Sequence, residues 1–174
     1  MQIVTPGGIA AFAYVFRPQA AMQDGKDPQY ALSLVFEKDN PKLKGLQDAI
    51  VEVATKKFGA KAKQMLEKGQ LKTPLRDDKE GEDFEGKLVL TARSSEKPQV
   101  VDTDAEPIMD QMDFYSGCRA RMDIWLYAYD KAGNRGVAAI LNNVQKLGEG
   151  ERKSGRRSAS SAFGNLDPED EALL

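Results

Sequence analysis

The chain has 174 residues with 25 Lys and Arg, 27 Asp and Glu, one cysteine and no histidine. That length suits one domain with short appendages; a lone Cys118 excludes an intramolecular disulfide and a thiolate-rich metal site, and the lack of histidine removes the commonest general base and zinc ligand. No run approaches the about 20 apolar residues of a membrane span, and MQIVTPGG lacks the basic and apolar regions of a signal peptide, so a reduced cytoplasmic protein without metal or cofactor is expected.

Residues 9–17 alternate as a strand, with Phe12, Tyr14 and Phe16 on one face and Ala11, Ala13 and Val15 on the other. A polar turn region follows from Pro18 to Pro28, and residues 29–37 read as a second strand with Tyr30, Leu32, Leu34 and Phe36 on one face. Asn40 then caps a helix starting at Pro41, in which Leu43, Leu46, Ile50 and Val53 recur at helical spacing until Gly59 stops it. A shorter helix is expected over 60–68, its lysines forming a solvated face near helix C-termini. Residues 76–86 (RDDKEGEDFEG) are dense in acid but lack calcium-loop spacing, and read as a solvated turn. Strands follow at 87–95, 99–102, 118–130 and 135–147, with KAGN as the last turn. Antiparallel strands without βα alternation, plus one helical insertion, point to a small mainly β barrel or sandwich over 1–147.

Charge is placed unevenly. Residues 1–147 carry 21 basic and 21 acidic side chains, 148–165 carry four and two, and 166–174 carry four acidic side chains and none basic. The Gly- and Ser-rich composition from Gly148 cannot bury enough surface to offset its ordering entropy. A flexible basic linker over 148–165 and a disordered acidic tail over 166–174 are therefore expected.

The strand at 118–130 separates its faces most sharply. Cys118, Ala120, Met122, Ile124, Leu126 and Ala128 make one face apolar, while the other carries Arg119, Arg121, Asp123, Trp125, Tyr127 and Tyr129. Guanidinium groups followed by rings at every second position match single-stranded nucleic acid, whose phosphates are anionic and whose bases stack on aromatics. The first strand adds Tyr14 and the third adds Arg93. Two competing readings are that the rings pack beneath the helical insertion as a second core layer, and that Asp123 neutralises either arginine.

The stretches PLRD (74–77), FEGKLVLTARSS (84–95), PQVVD (98–102), FYSGCRARMDIWLYAYD (114–130), GNRG (133–136) and LNNVQK (141–146) occur in an order that resembles the phage single-stranded DNA-binding proteins once classed as a domain of unknown function. The resemblance implies an OB-fold-like five-stranded antiparallel barrel with elaborations, an acidic tail, and sequence-independent coating of single-stranded DNA during phage replication, recombination and repair in the host cytoplasm. It assigns DNA contact to Arg76, Arg93, Tyr115, Arg121, Tyr127 and Tyr129, whereas Arg119 and Trp125 rest on the face pattern alone. The tail residues Asp167, Glu169, Asp170, Glu171, Leu173 and Leu174 would compete with DNA for the groove and recruit replication or recombination proteins. No membrane partner is implied, and the chain is expected as a monomer or homodimer. Rival functions are a protein–protein scaffold of a phage assembly and a magnesium nuclease using Asp77, Asp78, Asp102, Asp104, Asp110 and Asp113, none of which falls in a metal-ligand pattern.

Overall fold

The fold is given by a computed structural model, which describes every residue except 22, 154–158, 165, 167 and 173–174, and the side chains of 160, 161, 170 and 171. It is mainly β with a helical insertion. The strands are β1 (Gln2–Val4), β2 (Gly8–Gln19), β3 (Gln29–Glu37), β4 (Leu75–Arg76), β5 (Lys87–Ser94), β6 (Gln99–Val101), β7 (Arg119–Lys131) and β8 (Asn134–Gly148). The helices are α1 (Leu43–Phe58), α2 (Ala62–Glu67) and the single turns α3 (Ala159–Phe163) and α4 (Pro168–Ala172).

The two longest strands make one hairpin. β7 and β8 pair from Lys131↔Asn134 to Arg119↔Gly148, leaving a two-residue loop, Ala132-Gly133. Both loop residues have positive φ, as the tight hairpin turn that follows strand twist requires. On β7, Ala120, Met122, Ile124 and Leu126 point inward and are fully buried, so period-2 alternation alone fixes which face meets the core.

β2, β3 and β5 lie side by side and antiparallel. β3 pairs with β5 from Tyr30↔Ser94 to Glu37↔Lys87 without interruption. β2 also pairs with β7, and β8 pairs with β7 and, in parallel, with β5 at Arg93↔Ile140. The expectation of purely antiparallel pairing is thus corrected, since both β5 and β6 run parallel to β8. Parallel neighbours need a long crossover, and the chain between β5 and β8 supplies it.

Leu32, Leu34 and Phe36 of β3, Leu90 and Ala92 of β5 and the inward face of β7 make the core with α1, which buries Leu43, Leu46, Ala49, Ile50, Val53 and Ala54. Asn40 accepts the Lys42 N–H at 3.0 Å, and α1 begins at Leu43 rather than Pro41. Gly59 closes α1 at φ 85°, a conformation that favours glycine.

Other departures from the sequence reading have local causes. Alternation in β2 breaks at Phe12, whose φ of 49° marks a bulge, so Ala10 rather than Ala11 joins Val15 in the core. β1 and β4 are too short for a periodic signal. The linker read from Gly148 begins with residues docked on the body: Lys153 N–H donates to the Ser116 carbonyl at 2.8 Å. Beyond Lys153 lie the single turns α3 and α4.

Candidate nucleic-acid interface

The outer face of β7 is turned to solvent as its alternation requires. Trp125 is 46% and Tyr127 40% exposed, Arg119 and Arg121 are exposed, and Asp123 and Tyr129 are half-buried. The rings therefore do not form a second core layer. Asp123 accepts hydrogen bonds from Gln2 at 3.1 Å and Asn143 at 2.9 Å. Arg121 donates instead to the Gln145 side chain at 2.7 Å. Tyr127 and Tyr129 have ring centroids 6.3 Å apart, tilted at 52°. Partial burial, then the neighbouring Tyr127, raises the Tyr129 hydroxyl above its ordinary range, so it is a neutral hydrogen-bonding group at neutral pH.

Cross-strand register extends this face. Trp125 pairs with Ile140 on β8, and Ile140 pairs with Arg93 on β5. Ring, aliphatic side chain and guanidinium therefore follow one another across three strands. Arg93, Tyr127, Tyr129 and Ile140 line a cleft together with Lys72, Arg76 and Lys79. Arg93 donates to the Gln19 side chain at 3.0 Å. Arg76 forms a bidentate pair with Asp78 at 2.8 and 2.9 Å. That hydrogen-bonded pair raises the Arg76 guanidinium and lowers the Asp78 carboxyl from their ordinary values.

A second cleft lies along β2. Ile9, Phe12 and Tyr14 line it with Lys87 and Arg119. Phe12 stacks on Phe84 at 5.6 Å between centroids, and the Lys79 ammonium stands 4.8 Å over the same ring. The sequence reading placed Tyr14 and Arg119 on the site but omitted Phe12 and Lys87. The aromatic spacing of Phe12 and Tyr14 was the available signal for the first of these; nothing local distinguished Lys87 from other surface lysines.

Tyr115 lies at neither cleft. Its buried ring sits beneath the Arg152 guanidinium at 4.1 Å. Its hydroxyl donates to the Glu149 carboxylate and accepts from the Gly150 N–H at 3.1 Å. Burial, then the Glu149 hydrogen bond, raises the Tyr115 hydroxyl, while Lys146 and Tyr115 hold Glu149 below the usual carboxylate range. A ring held this way fastens residues 149–153 to the body. The structure thus gives Tyr115 a fastening role, away from both clefts.

Of the tail residues, Asp167, Leu173 and Leu174 lie outside the described residues, as do the side chains of Asp170 and Glu171; Glu169 is exposed. Two of the six aspartates considered for a nuclease cap their own loops, and Asp78 pairs with Arg76. Asp102 accepts from the Asp104 and Glu106 N–H groups, and Asp110 from that of Met112. Among the described residues no three Cys, Asp or Glu side chains gather as a metal site. No helix among them is long and apolar enough to cross a membrane.

The family model described as "Enterobacter phage Enc34, ssDNA-binding protein" matches residues 1–173. A protein of Acyrthosiphon pisum secondary endosymbiont phage 1, called putative protein p50, is 29% identical over 173 residues, covering 94% of both chains. The single-stranded DNA-binding protein of bacteriophage Enc34, solved in complex with ssDNA, superposes with a TM-score of 0.71 at 20% identity, covering 88% of this chain and 89% of that one. The bacteriophage T7 single-stranded DNA-binding protein gp2.5 superposes with a TM-score of 0.65 at 15% identity, covering 90% and 98%. These two structural likenesses show a shared fold.

Proposed function

Because the chain belongs to the family of the Enterobacter phage Enc34 ssDNA-binding protein, we propose that it binds single-stranded DNA without regard to base sequence and acts in phage replication, recombination and repair. The observation that carries this reading is the run Trp125, Ile140, Arg93 across β7, β8 and β5, continued by Tyr127 and Tyr129 into a cleft bordered by cations. Exposed rings accept stacked bases at about 1–3 kcal/mol each, and guanidinium groups accept phosphates. Neither contact distinguishes one base from another. The linked strands β7, β2, β3, β5 and β8 are read as the five strands of an OB barrel, whose β3–β5 face corresponds to the oligonucleotide face of that architecture.

Residues 1–147 balance 21 basic against 21 acidic groups. Affinity must therefore come from local clustering of cations and fall steeply with salt. The acidic tail over 166–174 competes with DNA for the cations and recruits replication or recombination proteins when DNA displaces it. The chain works as a monomer or homodimer in the host cytoplasm, without catalysis. Gel-shift titration with single- and double-stranded oligonucleotides at two salt concentrations tests the reading. Preference for single strands, lost at high salt, is expected; salt-insensitive binding, or cleavage of the strand with magnesium, refutes it.

A further inference from the structure

The chain between β4 and β5 cannot stay in the plane of the sheet. β4 lies against one edge of β5, whereas β3 and then β2 lie beyond its other edge. Yet between Arg76 and Lys87 the chain reaches β2, because Phe84 stacks on Phe12 and Lys79 covers the same ring. Three strand spacings of about 4.8 Å separate β4 from β2. Phe12 falls between the pairs Ala11↔Ser33 and Tyr14↔Ala31, at mid-height of the sheet rather than at its end. The segment 77–86 therefore passes over the outer faces of β5 and β3.

Burial agrees. Ala31 and Val89 are 3% and 2% exposed, yet neither belongs to the core cluster that holds their inward neighbours Leu32 and Leu90, and Ser33, on the same face of β3 as Ala31, is 2% exposed. They lie on the outer face, where Ser33 also hydrogen-bonds Thr91 at 2.8 Å. Residues 77–86 carry six carboxylates and one lysine. Asp77, Asp78 and Lys79 line the first cleft, and Glu82, Asp83 and Phe84 the second, so this strap divides them. Its attachments are the Phe12–Phe84 stack, the Lys79 contact, the Arg76–Asp78 pair and a Lys153–Asp83 contact at 3.4 Å.

We propose that segment 77–86 is a displaceable acidic strap lying over the middle of the single-strand path, and that lifting it joins the two clefts into one channel across β5 and β3. This rests on the single-strand reading above and adds to it a covered section of the binding surface. Carboxylates repel a phosphate backbone, so a strand confined to either cleft leaves the strap closed. A strand long enough to engage Arg93 at one side and Lys87 and Arg119 at the other has to displace it. Arg76, freed from Asp78, and the strap's own Lys79, freed from Phe12, then become available to phosphates.

The test uses the full chain and thymidine oligonucleotides of about 4 and about 16 nucleotides, spanning the range of site sizes known for OB folds. Phe84→Ala is expected to bind the long strand several-fold tighter, a gain clearly larger than any it shows for the short strand. Glu80→Gln with Glu85→Gln should reproduce the gain, while Asp48→Asn with Glu52→Gln on α1, which removes the same charge, should not. Hydrogen exchange in 77–86 should quicken when the long strand binds the unaltered chain. Weaker or equal long-strand binding by Phe84→Ala in a chain that melts normally, or slower exchange in 77–86 on binding, overturns the strap alone. An unaltered chain that binds neither strand overturns the function and this inference with it.

Discussion

Trp125 on β7 stands directly across from Ile140 on β8, and both side chains are turned to solvent. Two large apolar groups side by side on an outer sheet face gain less for folding than a buried pair, since each stays partly in water. They do offer a base a flat ring and an apolar neighbour. Trp125→Ala is expected to weaken single-strand binding about 5- to 150-fold, the equivalent of about 1–3 kcal/mol. The melting temperature should barely move. Trp125 is the only tryptophan of the chain, so quenching of its fluorescence by an oligonucleotide reports the contact directly. Unquenched emission at saturation would place the bases elsewhere.

Arg93 and Arg121 hydrogen-bond neutral glutamine side chains, Gln19 at 3.0 Å and Gln145 at 2.7 Å, and keep their full charge for a phosphate. Arg76 spends its charge on Asp78. Each phosphate contact adds about 0.7 to the slope of log affinity against log salt for single strands. Arg93→Ala and Arg121→Ala should each lower that slope by about 0.7. Arg76→Ala should change it less while the strap is closed. Titrations at a series of salt concentrations separate the three; equal slopes for all three variants would contradict the assignment.

Competition by the tail makes an independent prediction. Removing 166–174 deletes four carboxylates and no cation. Single-strand affinity should rise by several-fold at low salt, and the gain should vanish at high salt, where screening shortens the reach of the competing charges. Unchanged affinity at low salt would show that the tail does not occupy the groove.

The sequence carried the long strands because each buries one face, and alternation at Cys118, Ala120, Met122, Ile124 and Leu126 leaves no other solution. It carried the outward rings for the same reason. What it hid depends on distant contacts. The bulge at Phe12 follows from no local pattern, and shifts the inward position from Ala11 to Ala10. The docking of 149–153 depends on Gly117 and Gly150 approaching so closely that an added Cβ would lie 1.8 Å from the Glu151 carbonyl oxygen and 2.0 Å from that of Gly117 respectively. Composition alone reads Gly150 as linker. Tyr115 sits in the family pattern, and its fastening role was hidden because its partners lie 34 and 35 residues away. The acidic loop read as a solvated turn, and only the strand order shows that it crosses the sheet.

The Tyr115–Glu149 contact sets a pH dependence whose sign can be worked out. Glu149 is held below its ordinary value of 4.5, first by Lys146 and then by Tyr115. Its contribution to stability is therefore complete above that value and is lost as pH falls through the lower, folded-state value. Tyr115 is raised above 10.0 by burial and the Glu149 hydrogen bond, so its contribution is complete below pH 10.0 and is lost as pH climbs past it. Tyr115→Phe removes the hydroxyl, leaves the Gly150 N–H without this partner, and should cost about 1–3 kcal/mol at neutral pH. Single-strand affinity should change far less than stability, because Tyr115 itself lines neither cleft. Glu149→Gln should flatten the acid limb of the stability curve. Its effect at neutral pH should stay below about 1 kcal/mol because the carboxylate is largely exposed. Denaturant melts between pH 3 and 7 measure both. If Tyr115→Phe instead weakened DNA binding at unchanged stability, the ring would belong to the interface after all.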